Sequence, residues 1–181
     1  MKTAFKIFPW IVLAITFVVL AYFYNSIADE ILIYRSFGGG DAVFAPKSVF
    51  AVFRVPFIEV VCAAIVEVMR RKFLRSENGL PAAAMWSVLL YTVAFKSLFQ
   101  TFEFIASFVY QSQAYADIFF YATIAVIAVG IFLVIFKRRQ IFRNLRREDW
   151  KVSTPEKIIL GVLLILYLAL AFSPMFIYKS V

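Results

Sequence analysis

The sequence predicts an all-α integral membrane protein: a bundle of five transmembrane helices, N-terminus cytoplasmic, with a small extracytoplasmic cap between helices 1 and 2. Three observations carry this prediction. Of the 181 residues, 64% are hydrophobic, whereas a soluble domain is nearer half apolar, so the excess has to face lipid. Five runs are each long enough, at 1.5 Å per residue, to cross a hydrocarbon core about 30 Å thick. Basic residues gather on one side of those runs, as the positive-inside rule requires. The length fits a single membrane domain over residues 1–181, with no second globular unit.

The first span, 7–28, follows the short basic stretch MKTAFK and carries no charge before its end. It is longer than a signal peptide's apolar region and lacks a small-residue cleavage site, so it reads as a retained helix. The cap, 29–47, is DEILIYRSFGGGDAVFAPK. Gly38, Gly39 and Gly40 supply a flexible backbone, and Asp41 and Pro46 add turn chemistry. The triple glycine lacks the lysine and Ser/Thr of a phosphate-binding loop, so it reads as a hinge. The segment is too apolar for a free linker and is expected to fold back onto the helix ends. Asp29, Tyr34, Gly38, Gly39, Gly40, Asp41 and Lys47 are its candidate functional residues.

The second span, 48–69, holds Arg54, Pro56 and Glu59, and the third, 81–110, holds Lys96, Gln100 and Glu103. Pro81 suits the first turn of the third span, where a missing amide donor does no harm. The polar link QSQAYAD precedes the fourth span, 118–136, and the fifth covers 158–178. Between them KRRQIFRNLRREDWK has apolar residues at loosely helical spacing, which suits a segment lying along a membrane surface.

Fourteen basic residues fall at the N-terminus and in the loops 70–80 and 137–157, against three on the opposite side. This sets the N-terminus inside and both the cap and the C-terminus outside. Trp10, Trp86 and Trp150 then mark the inner interface, and Tyr22, Tyr24, Tyr110, Tyr115 and Tyr178 the outer one. Arg70, Arg71, Lys72, Arg75, Lys137, Arg138, Arg139, Arg143, Arg146 and Arg147 are expected to meet anionic lipid headgroups. The net charge of +8 is thereby explained by topology, and no nucleic-acid partner is expected.

A charge at membrane depth costs about 2.5 to 3.5 kcal/mol on insertion scales, so it is rarely left without a partner or a use. Spans two and three are antiparallel. Entering from outside, Arg54 lies about 9 Å and Glu59 about 16 Å below Ser48, and Lys96 about 22 Å from the inner end of its helix. Depth therefore pairs Glu59 with Lys96 and Arg54 with Glu103. Lys96, Gln100 and Glu103, at i, i+4 and i+7, share one stripe. Arg54 and Glu59 lie about 140° apart around a regular helix. Both face the third helix only if Pro56 alters the phase; otherwise Arg54 snorkels outward or reaches Asp117. Glu67 reads as an interface charge beside the inner arginines. Two functions fit these groups: a charged pocket open to the outside, or salt bridges that only fix helix register.

The chain has no histidine, which excludes His-ligated haem, HExxH zinc sites and Ser-His-Asp triads. Its one cysteine, Cys62, lies in an apolar run and reads as packing. No cofactor, metal or enzymatic activity is expected. From Tyr24 to Pro56 the chain resembles the helix-loop-helix of a bacterial membrane family of unknown function, found at the front of the sporulation-delaying-toxin immunity protein. Asp29, Ile31, Gly40, Asp41 and Lys47 follow that pattern, while Ala28 stands at its proline and Tyr34 near its histidine. The resemblance implies toxin resistance or envelope-stress signalling, and a bacterial inner membrane. The expected function is thus a non-enzymatic protein of immunity or sensor type. The alternatives are a small proton- or ion-coupled transporter using Glu59 and Lys96, alone or as a homo-oligomer, and an accessory subunit of a larger membrane complex.

Overall fold

The computed structural model describes residues 3–34, 43–75, 79–144 and 152–177. Five helices follow one another: α1 (Thr3–Phe23), α2 (Val49–Arg75), α3 (Leu80–Phe108), α4 (Gln113–Asn144) and α5 (Thr154–Ile177). Each contains a stretch long and apolar enough to cross a membrane, which fits an integral membrane protein. α1 ends in a single 3₁₀ turn, Tyr24–Ser26.

The expected cap is a two-stranded antiparallel hairpin, β1 (Glu30–Tyr34) and β2 (Val43–Pro46). Ile31 pairs with Ala45 and Leu32 with Phe44, and a bulge between Leu32 and Tyr34 sets Tyr34 opposite Val43. This adds a strand pair to a fold expected to be purely helical. Gly38, Gly39, Gly40 and Asp41 lie outside the described residues. The hairpin does fold back onto the helix ends. Ile31 is buried with Leu20, Ile27, Val52 and Ile105, and the Ala28 amide donates to Phe108 O at 3.2 Å. Lys47 closes its base: its amide donates to Asp29 O at 2.7 Å. Its Nζ donates to Ile27 O at 2.8 Å and lies 3.5 Å from the Asp29 carboxylate.

Local sequence explains where the helices start and stop. Ser48 caps α2, its Oγ accepting from the Ala51 amide. Pro81 lies in the first turn of α3. α3 closes as Val109 and Tyr110 both donate to Ile105 O, and Ser112 to Ala106 O, with Gln111 in the left-handed region at φ 49°. The link to α4 is therefore shorter than expected, and α4 begins at Gln113, so Asp117 is helical. At its other end α4 runs on through residues 137–144 instead of breaking into a surface segment. Likewise α2 continues to Arg75, so Arg70, Arg71, Lys72 and Arg75 are helical and not in a loop. α2 also runs through Pro56 as one helix.

α3 is the central helix, packing against α1, α2 and α4, while α5 rests on α2. Small residues make these approaches close, as suits helices that have no hydrophobic drive toward one another in lipid. Ala63 and Ala94 are fully buried with Val12, Leu13 and Leu90 between α1, α2 and α3. Gly130 on α4 sits so near Thr92 that a Cβ would fall 2.4 Å from its Oγ1. Two buried hydroxyls are satisfied within their own helices, Thr16 donating to Leu13 O and Thr123 to Phe119 O, while the buried Ser97 Oγ has no partner among the described residues.

Candidate functional site

At the hairpin end of the bundle a cavity of about 570 Å³ lies between α2, α3 and α4, with Leu20 of α1 at its edge. Its ionisable lining is Arg54, Glu103 and Asp117, joined by Gln100, Gln113 and Ser107. Phe50, Phe104, Phe108 and Phe120 supply much of the apolar wall. Counting 1.5 Å per residue from the helix ends at Val49, Phe108 and Gln113, all three charged groups lie about 6–8 Å deep. This is the level at which Arg54 and Glu103 were expected to meet, and both line one cavity. Asp117, which the sequence offered only as another partner for Arg54, completes the set. Gln113 Nε2 donates to Asp117 Oδ1 at 2.7 Å, and Asp117 shares the cavity lining with Glu103.

Gln100 lies one turn deeper, and its Oε1 is buried with no hydrogen-bond partner among the described residues. Beyond it, about 15–18 Å from the helix ends, Lys96 Nζ donates to Glu59 Oε1 in an ion pair joining α3 to α2. Glu59 is almost fully buried, with 4% of its side chain exposed against 30% for Lys96. Lys96, Gln100, Glu103 and Ser107 thus form a polar stripe on α3, running from the ion pair to the cavity mouth. Cys62 is half-buried one turn along α2 from Glu59. Among the described residues no three His, Cys, Asp or Glu side chains gather as a metal site would need.

The hairpin shares its seat with this cavity. Leu20 and Val52 line the cavity and also pack around Ile31. Of the other cap residues, Asp29 and Lys47 pair at the hairpin base and Tyr34 ends β1.

At the opposite end of α2 the basic residues divide. Arg70 is buried and donates to Glu67 through Nε at 2.6 Å and Nη2 at 2.8 Å, and Arg71 donates to the same carboxylate at 2.6 Å. Glu67 is itself buried, more than an interface charge would be. Lys72 is buried beside the Phe73 ring. The Arg71 and Arg75 side chains remain 68% and 78% exposed, and Arg75 lies 3.9 Å from Glu156 of α5. Of these four, only Arg71 and Arg75 present their side chains as headgroup contacts would require. Lys137, Arg138, Arg139 and Arg143 are on the last turns of α4, with side chains outside the described set. Arg146 and Arg147 lie outside the described residues.

Compared with protein-family models, curated proteins and solved structures, the chain matches none.

Proposed function

We propose that the protein is a non-enzymatic polytopic inner-membrane protein of immunity or sensor type, receiving a membrane-borne ligand in the cavity beside the hairpin. The observation that carries this is the sharing of Leu20 and Val52 between the cavity wall and the seat of Ile31. Whatever fills the cavity presses on the side chains that hold the hairpin, and whatever engages the hairpin presses on the cavity. The volume lies within the roughly 300–1,000 Å³ usual for ligand sites. The charge asymmetry favours a cytoplasmic N-terminus and an extracytoplasmic hairpin, so the ligand arrives from outside the cytoplasm. The resemblance over Tyr24–Pro56 to a bacterial membrane family agrees with resistance or stress sensing.

The test couples the two parts directly. In a Cys62→Ala background, Ser107→Cys is modified with a bulky maleimide and amide exchange is measured over residues 27–34. The proposal expects exchange there to change severalfold. Unchanged exchange after full modification removes the coupling and the reading with it.

A second reading, proton- or ion-coupled transport, draws on the Glu59–Lys96 pair lying on the same stripe as the cavity. It requires protein-dependent proton flux in liposomes that Glu59→Gln abolishes. The sensor reading requires no such flux from either form.

A further inference from the structure

We infer that the cavity selects amphiphilic organic monocations that slide in sideways from the membrane leaflet on the hairpin side. This rests on the reading of the cavity as a ligand site and names the ligand's chemistry.

Charge comes first. Among the described residues the lining holds one guanidinium, Arg54, and two carboxylates, Glu103 and Asp117. The described lining thus carries one more negative charge than positive. The two carboxylates line one cavity, where like charges repel, and a cation between them relieves that repulsion in a setting where charge is weakly screened. The buried Gln100 Oε1 is a further acceptor with no donor among the described residues. An anion would meet the opposite balance, with two carboxylates against one guanidinium.

Size and wall chemistry come second. A bare metal ion fills a few per cent of about 570 Å³ and makes no use of four phenylalanines. An organic cation uses both, its charge on the carboxylates and its body on Phe50, Phe104, Phe108 and Phe120, whose faces also attract cations.

The route comes third. α2 and α4 each pack on α3 and scarcely on each other, so among the described residues the cavity is open between them at its side as well as at its end. Phe50 and Val55 on α2 and Phe120 on α4 rim that gap, and all three are exposed. Arg54, Glu103 and Asp117 lie about 6–8 Å from the helix ends, the depth of an amphiphile's headgroup and upper chain in one leaflet. An amphiphilic cation can pass through the gap without taking its charge to the membrane centre, where the cost is greatest.

The test uses two probes of one shape and opposite charge, tetraphenylphosphonium and tetraphenylborate, with the full chain in phosphatidylcholine nanodiscs and empty nanodiscs as the blank. Equilibrium dialysis should give saturable phosphonium binding at least tenfold tighter than borate binding. Asp117→Asn, an exposed change that leaves the bundle intact, should weaken phosphonium binding about tenfold. Glu103→Gln should weaken it as much, with its melting profile as the folding control, and Arg54→Gln should tighten it. Saturable binding of both ions with equal affinity, or tighter binding of borate, overturns the charge selection but leaves a ligand cavity standing. Phosphonium binding unaffected by Asp117→Asn and Glu103→Gln places the cation elsewhere and overturns the inference. Saturable binding of neither probe overturns this inference together with the cavity reading.

Discussion

Glu59 on α2 and Lys96 on α3, 37 positions apart in the chain, meet as an ion pair with the carboxylate almost wholly buried. A buried pair is costly to form and costlier to break, because removing one partner strands the other charge. Glu59→Gln should therefore destabilise the protein by about 3 kcal/mol, the low end for a buried pair because Lys96 is partly exposed. Replacing both with apolar residues, Glu59→Leu with Lys96→Met, should restore most of the loss. Unfolding by denaturing detergent measures both. A double variant as unstable as the single one would mean that the pair contributes more than register.

The inner ion cluster should divide by burial. Arg70→Ala takes two of the three guanidinium hydrogen bonds from the buried Glu67, leaving only that of Arg71, and should cost about 2–3 kcal/mol. Arg71→Ala, acting at an exposed side chain on the same carboxylate, should cost less than about 1 kcal/mol. Thermal unfolding of the two variants side by side gives the comparison, and equal losses would contradict the burial assignment.

Gly130 and Thr92 fix how closely α4 approaches α3. A Cβ at 130 would fall 2.4 Å from Thr92 Oγ1 and 2.9 Å from its Cγ2, so Gly130→Val should cost about 1–3 kcal/mol by overpacking. Gly130→Ala should be relieved by Thr92→Ala, which removes both clashing atoms. A double-mutant cycle on unfolding reads the coupling, and simple additivity would place the helices further apart.

Lys47→Ala removes the Nζ bond to Ile27 O and the contact with Asp29. It should loosen the hairpin by about 1.5–3 kcal/mol, the usual worth of a charged hydrogen bond. Amide exchange should rise over residues 27–34 and stay constant over the buried α2–α3 contact around Ala63 and Ala94. A uniform rise along the chain would show that the hairpin is not an independent unit.

The sequence made depth legible and left azimuth mostly hidden. Five apolar runs located five helices, and counting residues from their ends was enough to bring Glu59 opposite Lys96. Rotation about each helix axis is fixed by contacts such as Ala63 with Ala94 and Gly130 with Thr92, which have no signature in hydropathy. That is why the burial of Glu67, Arg70 and Lys72 was missed: a basic run after a span reads as a loop until the helix is seen to continue. Asp117 was missed as a lining residue because QSQAYAD looks like a link. The Gln113–Asp117 spacing of i, i+4 was the available helical signal. The short apolar run EILIY of β1, with no period-2 alternation to mark it as a strand, was absorbed into a cap because the glycines beside it dominate the local pattern.

The reading of the site as a charged cavity that opens at its hairpin end, as well as toward the leaflet, requires that polar solutes reach the α3 stripe from the hairpin side. In a Cys62→Ala background, Gln100→Cys and Glu103→Cys should react with a membrane-impermeant thiol reagent added to intact cells. Val129→Cys, on the exposed apolar face of α4, should not react. Silence at both stripe positions, or reaction only after the cells are opened, would contradict an externally accessible charged cavity.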